Sequence, residues 1–151
     1  MQIHWTLKKF SELTPYEVYH VLQLRNEVFV VEQACVFQDA DDKDQESSHL
    51  LGLRDEKLVA YTRIVPAGVI YNEASIGRVV TSPSVRGSGA GKLLMAQSIE
   101  SLYSVCGIVP IKIGAQLYLR NFYQSFGFVQ ISETYLEDGI PHIHMLKNVA
   151  S

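Results

Sequence analysis

The chain has 151 residues, of which 47% are hydrophobic and 19% are charged, and its net charge is −3. These values exclude a disordered chain, and the lack of a basic excess argues against nucleic-acid binding. No apolar run approaches the roughly 18 residues of a membrane span, and residues 1–10 do not form a signal-peptide block. Cys35 and Cys106 lie in no metal or redox spacing. We therefore expect one soluble, cytoplasmic domain over residues 1–151, with no membrane or nucleic-acid partner.

The first half of the chain predicts one strand, one helix and then three strands. Residues 2–10 alternate as a strand, and Thr14, Pro15 and Glu17 form a helix start with a capping box. Apolar residues at helical spacing extend that helix to about residue 30. Residues 31–47 lose all periodicity. Further strands are predicted at 48–54, 57–66 and 74–81.

The second half predicts two helices and three more strands. A Gly-, Ser- and Pro-rich turn over 82–90 leads into a helix over 90–104. A short apolar strand at 110–115 precedes a helical pattern at 116–126, which Gly127 ends. The closing strands are predicted at 128–134 and 142–147, with 136–141 as their connection. This order is typical of a mixed α+β fold.

The segment from Arg78 to Lys92 runs from a strand through a glycine-rich turn into a helix. Glycines at 87, 89 and 91 let a ligand approach the backbone, and the free amides of a helix start favour a phosphate. A P-loop is excluded because Arg86 and Leu93 stand at two of its required positions, and Lys92 replaces the third glycine of a dinucleotide fingerprint. An Arg-x-x-Gly-x-Gly phosphate motif and a plain strand-to-helix turn both remain open.

A second segment, residues 111–128, resolves that choice through a resemblance. It contains a strand, a helix with Phe122-Tyr123, and then Gly127-Phe128. The two segments in this order resemble the acyl-CoA-binding motifs of the GNAT N-acetyltransferase superfamily, over nearly the whole chain. The strings at 22–33 and 135–142, with Cys35 near the first, resemble its small bacterial ElaA-like branch. Asp42 departs from that pattern, where a glycine is expected after Asp41.

The resemblance implies a single-domain GNAT-like fold, with a mixed, mostly antiparallel twisted sheet flanked by helices and two strands splayed around acyl-CoA. It implies an acetyl-CoA-dependent N-acetyltransferase that acts on an amine of a small molecule or peptide by direct attack on the thioester. No metal is expected. The alternative is a non-catalytic acyl-CoA-binding or interaction module on the same fold, because fold does not fix function.

The resemblance also assigns roles to individual residues. Tyr123 corresponds to the general acid that protonates the departing thiolate, and the backbone N–H of Val80 would polarise the thioester carbonyl. The residues implied to bind acetyl-CoA are Val79, Val80, Thr81, Arg86, Gly87, Ser88, Gly89, Ala90, Gly91, Lys92, Gln116 and Tyr123.

The acceptor amine must be neutral before it attacks, so a base is expected, although the sequence does not identify it. Candidates for the base are Glu32, His49, Glu73 and His142, with pairing of Glu32 to Arg25 as a structural alternative. Arginines that could line the acceptor cleft and select a carboxylate are Arg25, Arg63 and Arg78.

The acidic residues between 39 and 46 do not match a calcium loop, because Lys43 or Ser47 falls at a required position. A solvated acidic loop is the simplest interpretation, and steering of a cationic amine is the alternative. His142 and His144 share a strand face without a third ligand, which argues against zinc. The oligomeric state stays open, a homodimer included.

Overall fold

The computed structural model describes residues 2–149, which form eight β-strands and three α-helices. No helix in this range is long and apolar enough to cross a membrane. In chain order the elements are β1 (His4–Lys9), α1 (Pro15–Arg25), β2 (Ser48–Arg54), β3 (Lys57–Val65), β4 (Ser75–Thr81), α2 (Ala90–Cys106), β5 (Ile111–Gln116), α3 (Arg120–Gln124), β6 (Val129–Gln130), β7 (Tyr135–Glu137) and β8 (Ile140–Lys147).

α1 begins where the sequence predicts. The hydroxyl of Thr14 accepts from the amide of Glu17 at 3.1 Å, and the Glu17 carboxylate accepts from the Thr14 amide at 2.9 Å. This reciprocal capping box satisfies two amides that would otherwise lack partners. After Arg25 the backbone continues as a wider π-helical segment, Asn26–Glu32, instead of the single helix predicted to residue 30. Such segments often occur at functional sites.

β1 to β4 form one antiparallel sheet in chain order, and β5, β8 and β6 form a second, with β7 paired to β8. The β7–β8 hairpin turns at Asp138 and Gly139, whose φ angles of 51° and 78° fit a two-residue type I′ turn. The interpretation of 136–141 as a plain connection is therefore wrong. The strand predicted at 128–134 is reduced to Val129–Gln130.

The two sheets separate between β4 and β5. One parallel bridge joins Ala74 to Ile111, and the amide of Lys112 donates to the carbonyl of Ala74 at 2.9 Å. Within the described residues, no further ladder pairs β4 with β5. The α+β class and the splayed, mostly antiparallel sheet are thus confirmed.

One core spans both sheets and fixes the gap between them. Met95 and Leu102 of α2 are fully buried and pack in one cluster with Ile64 of β3, Ile111 of β5 and Phe128. A second cluster covers the other face of the first sheet, where α1 packs on β2, β3 and β4. Because α2 contributes to the same core as β3 and β5, the gap has rigid walls.

The acidic segment after α1 is not a solvated loop. Asp39 is 5% exposed and Asp44 is 9% exposed. Arg25 donates from Nε to Asp39 at 2.7 Å and from Nη1 to Asp44 at 2.8 Å. Arg63 donates to the two carboxylate oxygens of Asp41 at 2.7 and 2.9 Å. The prediction of a solvated run is wrong for these three aspartates, because buried arginines of the helix and sheet neutralise them.

The backbone conformation of Asp42 explains why a glycine is expected at this position. Its φ of 62° lies in the left-handed region, which glycine enters without cost. Aspartate is among the few other residues that tolerate this conformation. Asp42 therefore adopts the left-handed conformation that a glycine would adopt at this position.

Candidate active site

A cavity of about 530 Å³ lies in the gap between β4 and β5. Residues 79–81 of β4 and 113–116 of β5 line its two sides, and the π-helical segment and the turn before α2 line its ends. The β7–β8 hairpin contributes Glu137, Asp138 and His142. A cavity of this size, at the point where two sheets part, suits a cofactor-sized ligand.

The cavity brings together most of the residues singled out in the sequence. Those that line it are Glu32, Arg78, Val79, Val80, Thr81, Arg86, Gly91, Gln116, Tyr123 and His142. Gly87, Ser88, Gly89, Ala90 and Lys92 complete the turn between Arg86 and the start of α2. Arg25, His49, Arg63 and Glu73 are not among the lining residues.

β4 carries a bulge where it borders the cavity. Tyr61 lies opposite Val80 and Arg63 lies opposite Gly77, so β4 holds one residue more than β3 between these pairs. Arg78 sits in the bulge with a φ of 50°, which is uncommon for a residue other than glycine. Strained backbone of this kind clusters at functional sites.

The register on the far side of the bulge decides which amides face the gap. The amide of Ser82 donates to the carbonyl of Val59 at 2.7 Å, across from it on β3. Hydrogen-bonded and non-hydrogen-bonded pairs alternate in an antiparallel ladder, so Val80 also points its amide at β3. Val79 and Thr81, on either side, then direct their amides into the gap.

The turn before α2 exposes backbone amides at the end of the cavity. Gly87 and Gly89 have φ angles of 79° and 87°, which side chains other than glycine rarely adopt. Gly89 is the N-cap residue and has no side chain that could bond the first amides of this 17-residue helix. A Cβ added at Gly87, Gly89 or Gly91 would meet no described atom within 4 Å. The turn therefore presents helix-start amides to open space, which is the arrangement that binds phosphate.

Arg86 and Glu32 form a bidentate ion pair at the exposed rim of the cavity. Nη1 and Nη2 of Arg86 each donate to one carboxylate oxygen of Glu32 at 2.6 Å. The hydrogen bond from Arg86 lowers the pKa of Glu32. The alternative pairing of Glu32 with Arg25 is wrong, since Arg25 binds Asp39 and Asp44 instead.

Tyr123 stands on the cavity wall at the middle of α3. Its side chain is 6% exposed, and its ring makes edge contacts with Phe122 and Phe128. Burial raises the pKa of the phenol, so the hydroxyl stays protonated at neutral pH. The side chain is therefore held as a neutral hydrogen-bond donor next to the gap.

His142 and Glu137 lie next to each other in the cavity lining. Nδ1 of His142 is 2.7 Å from the carbonyl of Ile140, and Nε2 is 3.4 Å from a carboxylate oxygen of Glu137. Tyr135 stacks on the imidazole with ring centroids 5.9 Å apart. Glu137 and Asp138 are not among the sequence candidates, although the Asp-Gly pair that turns this hairpin is a recognisable signal.

Arg25, His49 and Arg63 belong to a buried polar cluster outside the cavity lining. His49 lies 2.6 Å from the hydroxyl of Tyr61 through Nδ1 and 2.9 Å from the carbonyl of Asp44 through Nε2. Burial lowers the pKa of His49 and keeps it neutral. Arg78 connects this cluster to the cavity, since its Nε lies 2.9 Å from Asp39. The cluster has the geometry of a structural clamp on the segment after α1.

No group of three or more His, Cys, Asp or Glu residues within 2–149 is arranged to hold a metal ion. Cys35 and Cys106 are both free, and the thiol of Cys35 donates to the carbonyl of Asp138 at 3.4 Å. The polar side chains that line the cavity thus include two phenols, one imidazole, one thiol, carboxylates, carboxamides and arginines.

Comparison with known proteins identifies relatives over the whole chain. A family model described as an acetyltransferase (GNAT) domain matches residues 16–149. The chain is 44% identical to Protein ElaA of Escherichia coli strain K12 over 149 residues, which cover 97% of each protein. The crystal structure of Escherichia coli ElaA superposes with a TM-score of 0.91 at 42% identity, covering 97% of this chain and 100% of that one.

Two further solved structures bear on the fold. An acyl-CoA N-acyltransferase from Pseudomonas aeruginosa superposes with a TM-score of 0.92 at 40% identity, covering 97% of this chain and 99% of that one. An aminoglycoside 6′-N-acetyltransferase solved with coenzyme A has a TM-score of 0.70 at 15% identity, covering 97% and 98%, and shares the fold.

Proposed function

The chain belongs to the GNAT acetyltransferase family, and we propose that it is an acetyl-CoA-dependent N-acetyltransferase acting on an amine of a small molecule or peptide. The observation that carries the proposal is the cavity itself. One end has the helix-start amides of the 86–92 turn, and its walls hold the splayed strand edges and a buried phenol. A cytoplasmic location, where acetyl-CoA is made, is part of the proposal.

The turn before α2 fits the pyrophosphate of the cofactor. Amides from Gly87 to Lys92 and the positive end of the α2 dipole would hold the two phosphates. Arg86 would add charge once it turns from Glu32 to the ligand. Because Gly91 lines the cavity and a Cβ there meets open space, the room needed by the phosphates exists beside the backbone.

The gap between the strands fits the pantetheine arm and the acyl group. Val79 and Thr81 offer backbone hydrogen bonds along the edge of β4, and residues 113–116 of β5 form the facing wall. We assign the amide that polarises the thioester carbonyl to one of these two gap-facing positions, because the register turns Val80 toward β3.

The reaction would proceed by direct attack within this cavity. The lone pair of a neutral acceptor amine forms a C–N bond with the thioester carbon, and the C–S bond then breaks with its electrons on sulfur. The hydroxyl of Tyr123 donates to that sulfur as it leaves. Since burial raises the pKa of Tyr123, its main contribution is a hydrogen bond that stabilises the thiolate, with proton transfer completed as CoA departs.

We place the acceptor amine at the end of the cavity that the β7–β8 hairpin lines, and the charges there favour a cationic amine over one that carries a carboxylate. Glu137 and Asp138 face this end without an arginine partner among the described residues. The charge of Arg78 is compensated by Asp39 and Asp41. A carboxylate-selecting role for Arg25 and Arg63 is not part of the proposal, because both are buried in ion pairs away from the cavity.

A screen of amines with acetyl-CoA tests the proposal through release of free thiol. Diamines, amino sugars, lysine-containing peptides and free amino acids form the panel, and calorimetry with CoA is run in parallel. Thiol release that needs an amine, together with an acetylated product, supports the transferase. CoA binding without thiol release for any amine would instead leave the binding-module alternative in its place.

A further inference from the structure

We propose that His142 removes the proton from the acceptor amine and that Glu137 positions it for this role. The inference rests on the proposed N-acetyltransferase function and names the base for that reaction.

The hydrogen bonds of His142 determine which nitrogen is basic. Nδ1 lies 2.7 Å from the carbonyl of Ile140, which can only accept, so Nδ1 carries the proton in the neutral ring. Nε2 then carries the lone pair of the neutral ring, and the Glu137 carboxylate oxygen 3.4 Å away becomes its hydrogen-bond acceptor once Nε2 is protonated. The ring is therefore held in the tautomer that a general base requires.

The surroundings of His142 fix the position of its ring. The residue is 7% exposed, and Tyr135 stacks on it at an interplanar angle of 28°. In the β5–β8 register His142 lies directly across from Gln116, at the end of β5 where the gap is open. The imidazole thus borders the cavity from a rigid strand and not from a loop.

His142 can accept a proton from the acceptor's ammonium group, and the carboxylate of Glu137 then balances the positive charge of the imidazolium. When Nε2 takes a proton from the bound ammonium group, the amine keeps its lone pair and becomes the nucleophile. The imidazolium then donates from Nε2 to the carboxylate of Glu137, which stabilises the new charge. The side chain of Glu137 is 60% exposed, so water can take the proton after turnover.

The other three base candidates either pair with an arginine or lie outside the cavity lining. Glu32 is bonded by Arg86 through both carboxylate oxygens, and the pKa of Glu32 is lowered by that contact. Both nitrogens of His49 have buried partners, and neither His49 nor Glu73 lines the cavity. Of the four base candidates, Glu32 and His142 line the cavity, and His142 is the one whose side chain contacts no arginine among the described residues.

Other charged or titratable groups share this environment and enter any pH profile. Tyr135 of β7 stacks on the ring, and His144 lies two residues along β8. Those that line the same cavity are Glu32, Cys35, Arg78, Arg86, Tyr118, Tyr123, Glu137 and Asp138.

The test compares His142→Gln, His142→Ala and Glu137→Gln, using the best amine from the screen. His20→Gln, at an exposed position of α1, is the matched control. We expect kcat/KM for the amine to fall about 10²-fold or more in the His142 variants, with CoA affinity unchanged. In Glu137→Gln, kcat/KM for the amine should fall by a smaller factor. At pH values where both the free amine and the base are protonated, log kcat/KM of the wild type should rise with pH at a slope of about two. In His142→Gln, where the base is missing, the slope should be about one.

Added imidazole separates a base from a structural residue. It should restore turnover in His142→Ala but not in His142→Gln, where the amide fills the space. Unchanged kcat/KM in His142→Gln, or an unaltered pH slope, would overturn the assignment while the transferase stands. A wild-type protein that acetylates no amine would overturn both proposals, and unchanged CoA binding in the variants shows that a loss is not misfolding.

Discussion

Arg86 and Glu32 face each other in two parallel 2.6 Å hydrogen bonds at the rim of the cavity. The pair joins the π-helical segment after α1 to the turn that leads into α2. Both side chains are 41% exposed, so the ion pair is screened by solvent and costs little to break. The guanidinium that we propose for the phosphate site is thus hydrogen-bonded to a carboxylate.

Replacing Glu32 should therefore help the cofactor bind. In Glu32→Gln the negative charge beside the phosphate site is lost, so CoA affinity measured by calorimetry should stay equal or rise a few-fold. Arg86→Gln should weaken CoA binding about tenfold. Both effects should shrink at high salt, because the groups are exposed. A clear loss of affinity in Glu32→Gln would show instead that the carboxylate holds Arg86 in the shape that binds phosphate.

Gly91 offers a clean test of the phosphate turn. Its φ lies outside the left-handed region, and a Cβ there meets no described atom within 4 Å, so Gly91→Glu should fold normally. It should even gain helix stability, since glycine costs about 1 kcal/mol relative to alanine inside a helix. CoA binding should be lost, because the new side chain fills and charges the place of the phosphates.

The matched control for Gly91→Glu is Ala96→Glu, which adds the same charge on an exposed position of α2 away from the cavity. It should keep wild-type CoA affinity. Equal CoA affinity in the two variants, measured by calorimetry, would contradict the location of the phosphate site.

Local chemistry allowed the sequence to predict the elements that need no distant partner. The capping box at Thr14 and Glu17 fixes the start of α1 because both residues lie within one turn. The strands predicted at 48–54 and 57–66 match β2 and β3 within one residue. The helix predicted over 116–126 is only partly right: Gln116 belongs to β5, a 3-10 turn follows at Leu117–Leu119, and α3 ends at Gln124, three residues before Gly127 with its φ of 94°.

Long-range pairing accounts for what the sequence did not predict. The partners of Asp39, Asp41 and Asp44 lie 14 to 39 residues away, so the acidic run gave no sign that it would be buried. Likewise, the bulge at Arg78 depends on the register with β3 and decides which amide faces the gap. The position of Glu137 near His142 could have been predicted from the sequence. A two-residue Asp-Gly turn pairs Glu137 with Ile140, two residues before His142 on β8.

The buried arginine–aspartate cluster should make the protein sensitive to acid. Burial alone would raise the pKa of Asp41, but the hydrogen bond and charge of Arg63 outweigh it and hold the pKa at about 2. The pKa of Asp44 is also lowered, where Arg25 and Arg63 outweigh burial. A lowered folded-state pKa contributes stability above the unfolded value of about 3.9 and loses it as pH falls.

The urea midpoint should therefore drop between about pH 5 and pH 2. Asp41→Asn should be less stable at pH 7, since it leaves Arg63 with a weaker partner, and its midpoint should vary less with pH in acid. Asp55→Asn, at an exposed turn residue, is the control and should follow the wild-type curve. Parallel curves for Asp41→Asn and wild type would exclude Asp41 as a source of acid sensitivity.

The remaining prediction concerns Tyr123 and separates catalysis from binding. Tyr123→Phe keeps the ring that packs on Phe122 and Phe128 but removes the hydroxyl of this cavity-lining residue. Loss of a donor to the departing thiolate should lower kcat about 10²-fold, at the low end of general acid effects, because the raised pKa makes full proton transfer less favourable. CoA affinity and thermal midpoint should stay near wild type, and Tyr19→Phe, on the exposed face of α1, should change nothing. Since burial raises the pKa of this phenol, wild-type kcat should also hold as pH rises to about 10, where an ordinary tyrosine would ionise. A change confined to the Michaelis constant for acetyl-CoA would mark a binding contact, and an unchanged kcat would leave the thiolate to depart without help from Tyr123.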